Sequence, residues 1–288
     1  MKGIAVIGTS MLDLVVQPRQ PLVMESCNKS QITMNFGGSM HNVAWNCAAL
    51  GLETHFVSKF GRDETGLAII NELQKKTAFV YGPVVDQDTP VFIDVQADPQ
   101  GMFFSSIRPE FLFDQHDDLP YCVLRECRWG ITDQADDGFL RRLLTQTPDT
   151  RWIFSGMIPA DCWWSRFTGI VVNRQEMASF AGSRPMADAA RDLLKKGLSW
   201  LIITLDKEGV LLIDNQGIHP FAAPGEGAYP LGCGDAFCSG LLYGLNQGLT
   251  PEQSITPAQQ AAHLVLQTPA ALCEDIVQLR EMKDEEKH

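Results

Sequence analysis

The chain has 288 residues, a formal net charge of −12 and 45% hydrophobic residues. That size suits one large domain with a sizeable apolar core. The acidic balance repels phosphate backbones and anionic lipid, which argues against nucleic-acid and membrane-surface partners.

Reading from the N-terminus, Ile4–Ile7 is a β-branched run closed by Gly8, the pattern of a buried parallel strand rather than of a signal peptide. Residues 17–36 are polar, with Ile32, Met34 and Phe36 alternating, and predict one or two strands that cross over something. A helix is predicted over 43–50 with Gly51 closing it, then a strand over 54–58 and a helix from the 61–66 turn to Lys75. Strands over 90–95 and 102–106 flank the turn Asp98-Pro-Gln-Gly101 and predict a hairpin. That hairpin and residues 17–36 can build a small sheet apart from the main one. From residue 120 onward strands alternate with helices. Strands are predicted at Trp129–Thr132, 152–155, 169–172, 201–205 and 210–213, and helices at 138–146, 185–196, 234–247 and 257–267, before a charged tail at 281–288. Alternation of this kind predicts an α/β fold, a doubly wound, mainly parallel sheet with helices on both faces.

The eight cysteines show no C-x-x-C pair and no zinc spacing, so they read as free thiols in a reducing cytoplasm. No run of about 20 apolar residues appears, so no bilayer span is expected.

Five constellations can carry chemistry. Tyr229-Pro-Leu-Gly-Cys-Gly-Asp235 places Gly232, Cys233 and Gly234 at a helix N-terminus, where backbone N–H groups hold an anion. Asp235 beside that anion site is suited to take a proton from an attacking hydroxyl. Alone, it is also a helix-dipole acid worth ~0.3–1 kcal/mol. Cys233 reads as a small filler of the turn or as a thiol with lowered pKa. Gly37-Gly-Ser-Met-His-Asn42 lets backbone approach a ligand, with Asn42 in the first helical turn; a plain glycine turn has the same pattern. His41 is a specificity contact or a helix-face side chain. Asp13 follows the first strand, where carboxyl ends face a ligand crevice; it can grip two hydroxyls or merely close a loop. Asn173-Arg-Gln-Glu176 offers hard oxygen donors for Mg²⁺ and also has the form of a capping box. Arg174 is a solvated side chain or a phosphate contact. Thr204 to Gly209 reads as a hairpin over whose end a nucleotide can lie.

In this order, the motifs resemble the PfkB/ribokinase family of carbohydrate and nucleoside kinases. The resemblance covers nearly the whole chain: Gly37-Gly38 with Asn42, the 57–66 segment, Asn173 with Glu176, and Gly232-x-Gly-Asp235. It implies one domain over 1–288 with a β-lid at about 14–36 and 88–108, and a homodimer through that lid. It also implies MgATP-dependent phosphorylation of a hydroxymethyl group on a sugar or nucleoside. Asp235 would then be the general base and Gly232, Cys233 and Gly234 the anion hole. Asp13, Gly37, Gly38, Asn42, Met11 and His41 would contact substrate, Asn173, Thr204 and Gly209 the nucleotide, and Asn173 and Glu176 the metal.

Three departures stand out. Tyr229 and Leu231 replace residues whose oxygens bind a monovalent cation in relatives, so no potassium activation is expected by that route. Asp206 replaces the usual hairpin glycine. Met11 and Met40 suggest an apolar pocket, and the Asn-Arg-x-Glu form leans towards pseudouridine-kinase-like members. A kinase-fold ligand sensor without activity is the rival reading. A dinucleotide-binding dehydrogenase is not, because no G-x-G-x-x-G follows the first strand.

Overall fold

The computed structural model describes residues 2–76, 78–97, 101–160 and 162–280. The predicted turn residues 98–100 and the charged tail 281–288 lie outside the described residues. The first half runs β1 (Ile4–Ile7), β2 (Met11–Pro18), β3 (Ser30–Gly37), α1 (Ser39–Ala49), β4 (Thr54–Val57), β5 (Phe60–Gly61), α2 (Glu64–Lys75), β6 (Phe79–Tyr81), β7 (Val84–Val85), β8 (Val91–Val95) and β9 (Met102–Ser105). The second runs α3 (Tyr121–Leu124), β10 (Trp129–Thr132), α4 (Asp137–Gln146), β11 (Arg151–Ser155), β12 (Phe167–Asn173), α5 (Arg174–Ala181), α6 (Met186–Lys195), β13 (Trp200–Thr204), β14 (Val210–Asp214), β15 (Ile218–Phe221), α7 (Cys233–Asn246) and α8 (Pro251–Leu266).

Among the described residues the main sheet has nine strands in the order β15-β14-β13-β12-β11-β10-β1-β4-β6. All pairs from β13 to β6 are parallel, and β14 and β15 add an antiparallel edge. Strand residues alternate between two cores. Ile4, Val6, Ile131 and Ile153 pack with α1, α7 and α8 on one face; Ala5, Ile7, Phe154 and Ile170 pack with α4, α5 and α6 on the other. From β1 the chain winds outward to β4 and β6, then returns to β10 on the opposite side. The order therefore reverses between β1 and β10, and a crevice opens beyond their carboxyl ends.

The lid is a separate four-stranded sheet, β3-β2-β8-β9. Its register sorts side chains cleanly. Leu12, Leu14, Val16, Ile32, Met34, Phe36, Val91, Ile93, Val95, Met102 and Phe104 share one wholly apolar face. Asp13, Asn35, Phe92, Asp94 and Phe103 share the other.

The predicted hairpins at 90–106 and 204–214 are present. Several boundaries need correction. Helix α1 starts at Ser39, four residues before the predicted 43, and ends where Gly51 N–H bonds Ala48 O and Leu52 N–H bonds Cys47 O. Helix α8 starts at Pro251, not 257, because Thr250 and Gln253 form a capping box and Pro257 is tolerated inside the helix. The lid begins at Met11, earlier than 14, so Asp13 stands within β2 and not in a loop.

Candidate active site

Helices α1 and α7 meet at the crevice. Asn42 Nδ2 donates to Asp235 Oδ2 at 2.8 Å, joining residues 193 apart in sequence. Ser39 also bonds the Asp235 carboxylate. Two glycines make this meeting possible. Gly38 has φ +96°, and a Cβ there would lie 2.7 Å from Thr9 O. Gly232 has φ +81°, and a Cβ there would strike Ala271 O. Helix α7 has no side-chain cap, and around Gly234 a Cβ would meet nothing within 4 Å. The space beside Gly234 is thus open at the positive end of the helix, where the Cys233 N–H is held by Pro230 O at 3.3 Å.

Three carboxyls converge here. Burial chiefly pushes Asp235 up to about 7; the Asn42 bond opposes this, while the charges of Asp13 and Asp133 add to it. Burial pushes Asp13 up to about 6, opposed by His41 and the Gly38 N–H and reinforced by Asp94. Asp13 is 5% exposed, and its Oδ1 has no hydrogen-bond partner. Gly37 backs directly onto the Asp13 carboxylate, where any Cβ would collide. Asp133, immediately after β10, is likewise raised to about 6 by burial, against bonds from Gln134 and Thr9. The sequence reading missed Asp133. The available signal was an acid one residue past a parallel strand, the same signal that marked Asp13.

The other side of the crevice is built differently. Asn173 ends β12 and pairs in register with Thr204 at the end of β13. Asn173 and Glu176 form the capping box, each side chain bonding the other's backbone N–H at 2.8 Å. Burial raises the Glu176 carboxyl, opposed by the Asn173 N–H. Thr204 Oγ1 reaches Val172 O only at 3.5 Å. Gly209 closes the 206–208 turn with its O accepting from Leu205 N–H at 2.8 Å. Arg174 pairs with Glu208 at 2.7 Å, tying α5 to that turn. Asp206 sits at φ +51°, a left-handed conformation where glycine is unstrained. Burial chiefly raises the Cys238 thiol, and the charges of Asp235 and Glu176 add to it.

Other expected contacts resolve as follows. Met11 is 9% exposed on the Asp13 face of the lid, whereas Met40 is 1% exposed and packed beneath Gly8, in the core. His41 is fully buried and reaches Glu72 on α2. Burial and then Asp235 push the Cys233 thiol up to about 11, and its Sγ meets Tyr229 O at 3.4 Å, so it fills the turn. All eight cysteines are free. No described helix is long and apolar enough to cross a membrane. Among the described residues no group of three His, Cys, Asp or Glu is placed to hold a metal.

Fold and site together define a sugar-kinase type of α/β protein. The model for the pfkB family of carbohydrate kinases matches residues 1–93 and 161–274, and the chain belongs to that family, phosphotransferases that act on hydroxyl groups. It is 25% identical to a guanosine-inosine kinase of Exiguobacterium acetylicum over 92% of this chain and 95% of that protein. Ribokinase of Thermotoga maritima has a TM-score of 0.79 at 16% identity, over 99% of this chain and 100% of that one. Arabidopsis thaliana ribokinase complexed with ribose and ATP also has a TM-score of 0.79, at 18% identity, over 96% and 98%. The protein is a sugar or nucleoside kinase with the ribokinase-like fold.

Proposed function

We propose that the chain transfers the γ-phosphoryl group of ATP, with Mg²⁺, to the hydroxymethyl group of a nucleoside. The observation that carries this reading is Asp235, bonded to Asn42 at 2.8 Å, at the uncapped N-terminus of α7. There a carboxyl lies beside amides able to hold a phosphoryl group, and its raised pKa of about 7 suits a base near neutral pH. Asp13, Asp133 and Asn42 hold the acceptor's hydroxyls. The unpartnered Asp13 Oδ1 supports this, since a buried carboxylate oxygen is costly to leave unbonded.

The donor side fits a nucleotide. Gly232, Cys233 and Gly234 supply amides to its phosphates, while Asn173, Thr204 and Gly209 border it. A bound Mg²⁺ neutralises phosphate charge; Asn173 and Glu176 would hold its shell. With no three-ligand protein cluster among the described residues, the fit is to an ion that arrives on the nucleotide. This chain's own residues align the acceptor, take its proton at Asp235, and close the lid to exclude water.

A nucleoside acceptor is supported by the lid. Phe92 and Phe103 stack at 5.8 Å on the face that carries Asp13, a surface on which a base can lie. The similarity to a guanosine-inosine kinase points the same way. Pseudouridine is the first acceptor to try. On the lid's apolar face Ile32 is 60%, Met34 69% and Phe104 53% exposed, and a second copy of the chain covers that face. An ATP-consumption assay over a panel of nucleosides and sugars tests the reading. Turnover with a nucleoside that Asp235→Asn abolishes is expected; binding without turnover across the panel would establish the sensor reading instead.

A further inference from the structure

We propose that His41 and Glu72 are positioning residues that lock the amide of Asn42, so that its NH₂ end always faces Asp235. The inference rests on the reading of Asp235 as the base. Its ground is a chain of hydrogen bonds that only one orientation of the Asn42 amide satisfies while Asp235 is ionised.

Adjacent residues on α1 point about 100° apart, so Asn42 reaches α7 while His41 reaches α2. The carboxylate of Asp235 must be ionised to take a proton, and an ionised carboxylate only accepts hydrogen bonds. The Asn42 group 2.8 Å from Asp235 Oδ2 is therefore the NH₂. Its carbonyl Oδ1 then faces His41 Nδ1 at 3.3 Å, and a carbonyl accepts, so Nδ1 carries hydrogen. His41 Nε2 lies 3.3 Å from Glu72 Oε2, and Glu72 is held in turn by the Trp45 Nε1–H, which donates to Oε1 at 2.6 Å, so the ring is fixed on its far side. The ring is fully buried, 6.4 Å from Phe56.

Turning the amide over would set two oxygens face to face at Asp235 and two N–H donors face to face at His41. The fault at His41 is buried, with His41 0% and Asn42 3% exposed, so the amide is held in one orientation. Its purpose follows from the charges around the base. Asp235 faces Asp13 from β2 and Asp133 from the end of β10, both of which favour its protonated form. Against them stand the Asn42 and Ser39 donors, while His41 holds the Asp13 carboxyl down. Without His41 the amide is free to turn, offer its carbonyl, and stabilise the protonated acid. Glu72 opens onto a cavity of about 720 Å³ lined by Leu12, Phe36, Trp45, Ala68 and Leu272. Its replacement by glutamine therefore leaves the packing intact.

The test compares pH profiles of kcat/KM for His41→Leu and Glu72→Gln with wild type. The acid limb is expected to move up by about one unit in both variants, a loss of about tenfold at pH 6 that shrinks to about twofold at pH 8 and vanishes by about pH 9. Uniform loss at every pH, or no loss, overturns the proposal. A second arm needs no substrate: ¹⁵N NMR of histidine-labelled, ligand-free protein, with the His41 signal assigned from the His41→Leu spectrum. Nδ1 of His41 is expected to carry hydrogen in wild type, since that nitrogen faces the Asn42 carbonyl. A wild-type His41 whose Nδ1 lacks hydrogen overturns the lock, whether or not Asp235 proves to be the base.

Discussion

The two sides of the crevice solve opposite problems. On the acceptor side, Asp13, Asp133 and Asp235 crowd together with raised pKa values, and Asp13 Oδ1 lacks any partner. On the donor side, Asn173 and Glu176 are satisfied by each other as a helix cap, and Arg174 by Glu208. The first is under electrostatic tension before any ligand arrives; the second is at rest and must exchange bonds when a nucleotide binds. Tension of this kind marks sites kept for function at some cost in stability.

The sharpest way to break this contrast is Asp235→Asn. Turnover should fall by about 10²–10⁴, the range for losing a positioned base. The same variant should be more stable than wild type, and the pH dependence fixes the sign. The folded-state pKa of about 7 lies above the ordinary value of 3.8, so the folded state binds more protons between those values. Stability from this group is complete below pH 3.8 and is lost as pH rises through 7. The variant's gain should therefore be nil at pH 4 and about 1–2 kcal/mol at pH 8, a rise in Tm of about 3–6 °C. Thermal unfolding at the two pH values checks it. A variant less stable at pH 8 would show that the acids are not in conflict.

Asp13→Ala should act next most strongly. Two hydrogen bonds to a charged oxygen pair are worth about 1.5–3 kcal/mol each at most, so kcat/KM for the acceptor should drop about 10²-fold, with KM for ATP little changed. An equal rise in both KM values would place Asp13 outside the acceptor subsite.

Glu176→Gln probes the resting side. It keeps the cap's shape, since glutamine also serves at the third helical position. Folding should move by less than about 1 kcal/mol, while KM for MgATP rises about tenfold, the scale for a residue acting through a metal's shell. A titration of Mg²⁺ at fixed ATP checks this. If only stability changes, Glu176 is a cap and nothing more.

Much of this contrast was open to sequence reasoning, and the limits have physical causes. Strands such as Ile4–Ile7 and Trp129–Thr132 were legible because burial on both faces writes an unbroken apolar run. Asp235 stood out in the sequence because its setting is local, a glycine turn and a helix start, although its partner Asn42 lies 193 residues away. Asp133 carried only the mark of an acid just past a parallel strand, since its neighbours Gly8 and Thr9 follow β1 far earlier in the chain and only the strand order joins them. β15 escaped because it is a partly exposed edge containing Pro220, and β6 because three half-exposed residues carry no period. Pro257 misled the start of α8 because proline marks first turns more often than interiors. His41 stays open in the sequence between a specificity contact and a helix-face side chain, because sequence shows its neighbour Asn42 but not Glu72 on α2.

The smallest effect expected is that of potassium, and it tests whether the anion turn stands on backbone alone. The family resemblance leads one to expect a carboxylate and a hydroxyl before the turn; Tyr229 lacks the carboxylate and Leu231 the hydroxyl. The backbone of this stretch is also occupied. Ala228 and Tyr229 N–H groups donate to Leu266 O at 3.2 and 3.1 Å, and Pro230 O accepts from Cys233 N–H at 3.3 Å. Tyr229 O faces the Cys233 thiol. A weakly hydrated cation would have to displace these bonds with no anionic ligand in return. Replacing choline with potassium at constant ionic strength should therefore change turnover by less than about twofold. A gain of about tenfold would mean that carbonyls alone suffice, and that the turn is tensioned by an ion in the same way that the acceptor side is tensioned by its acids.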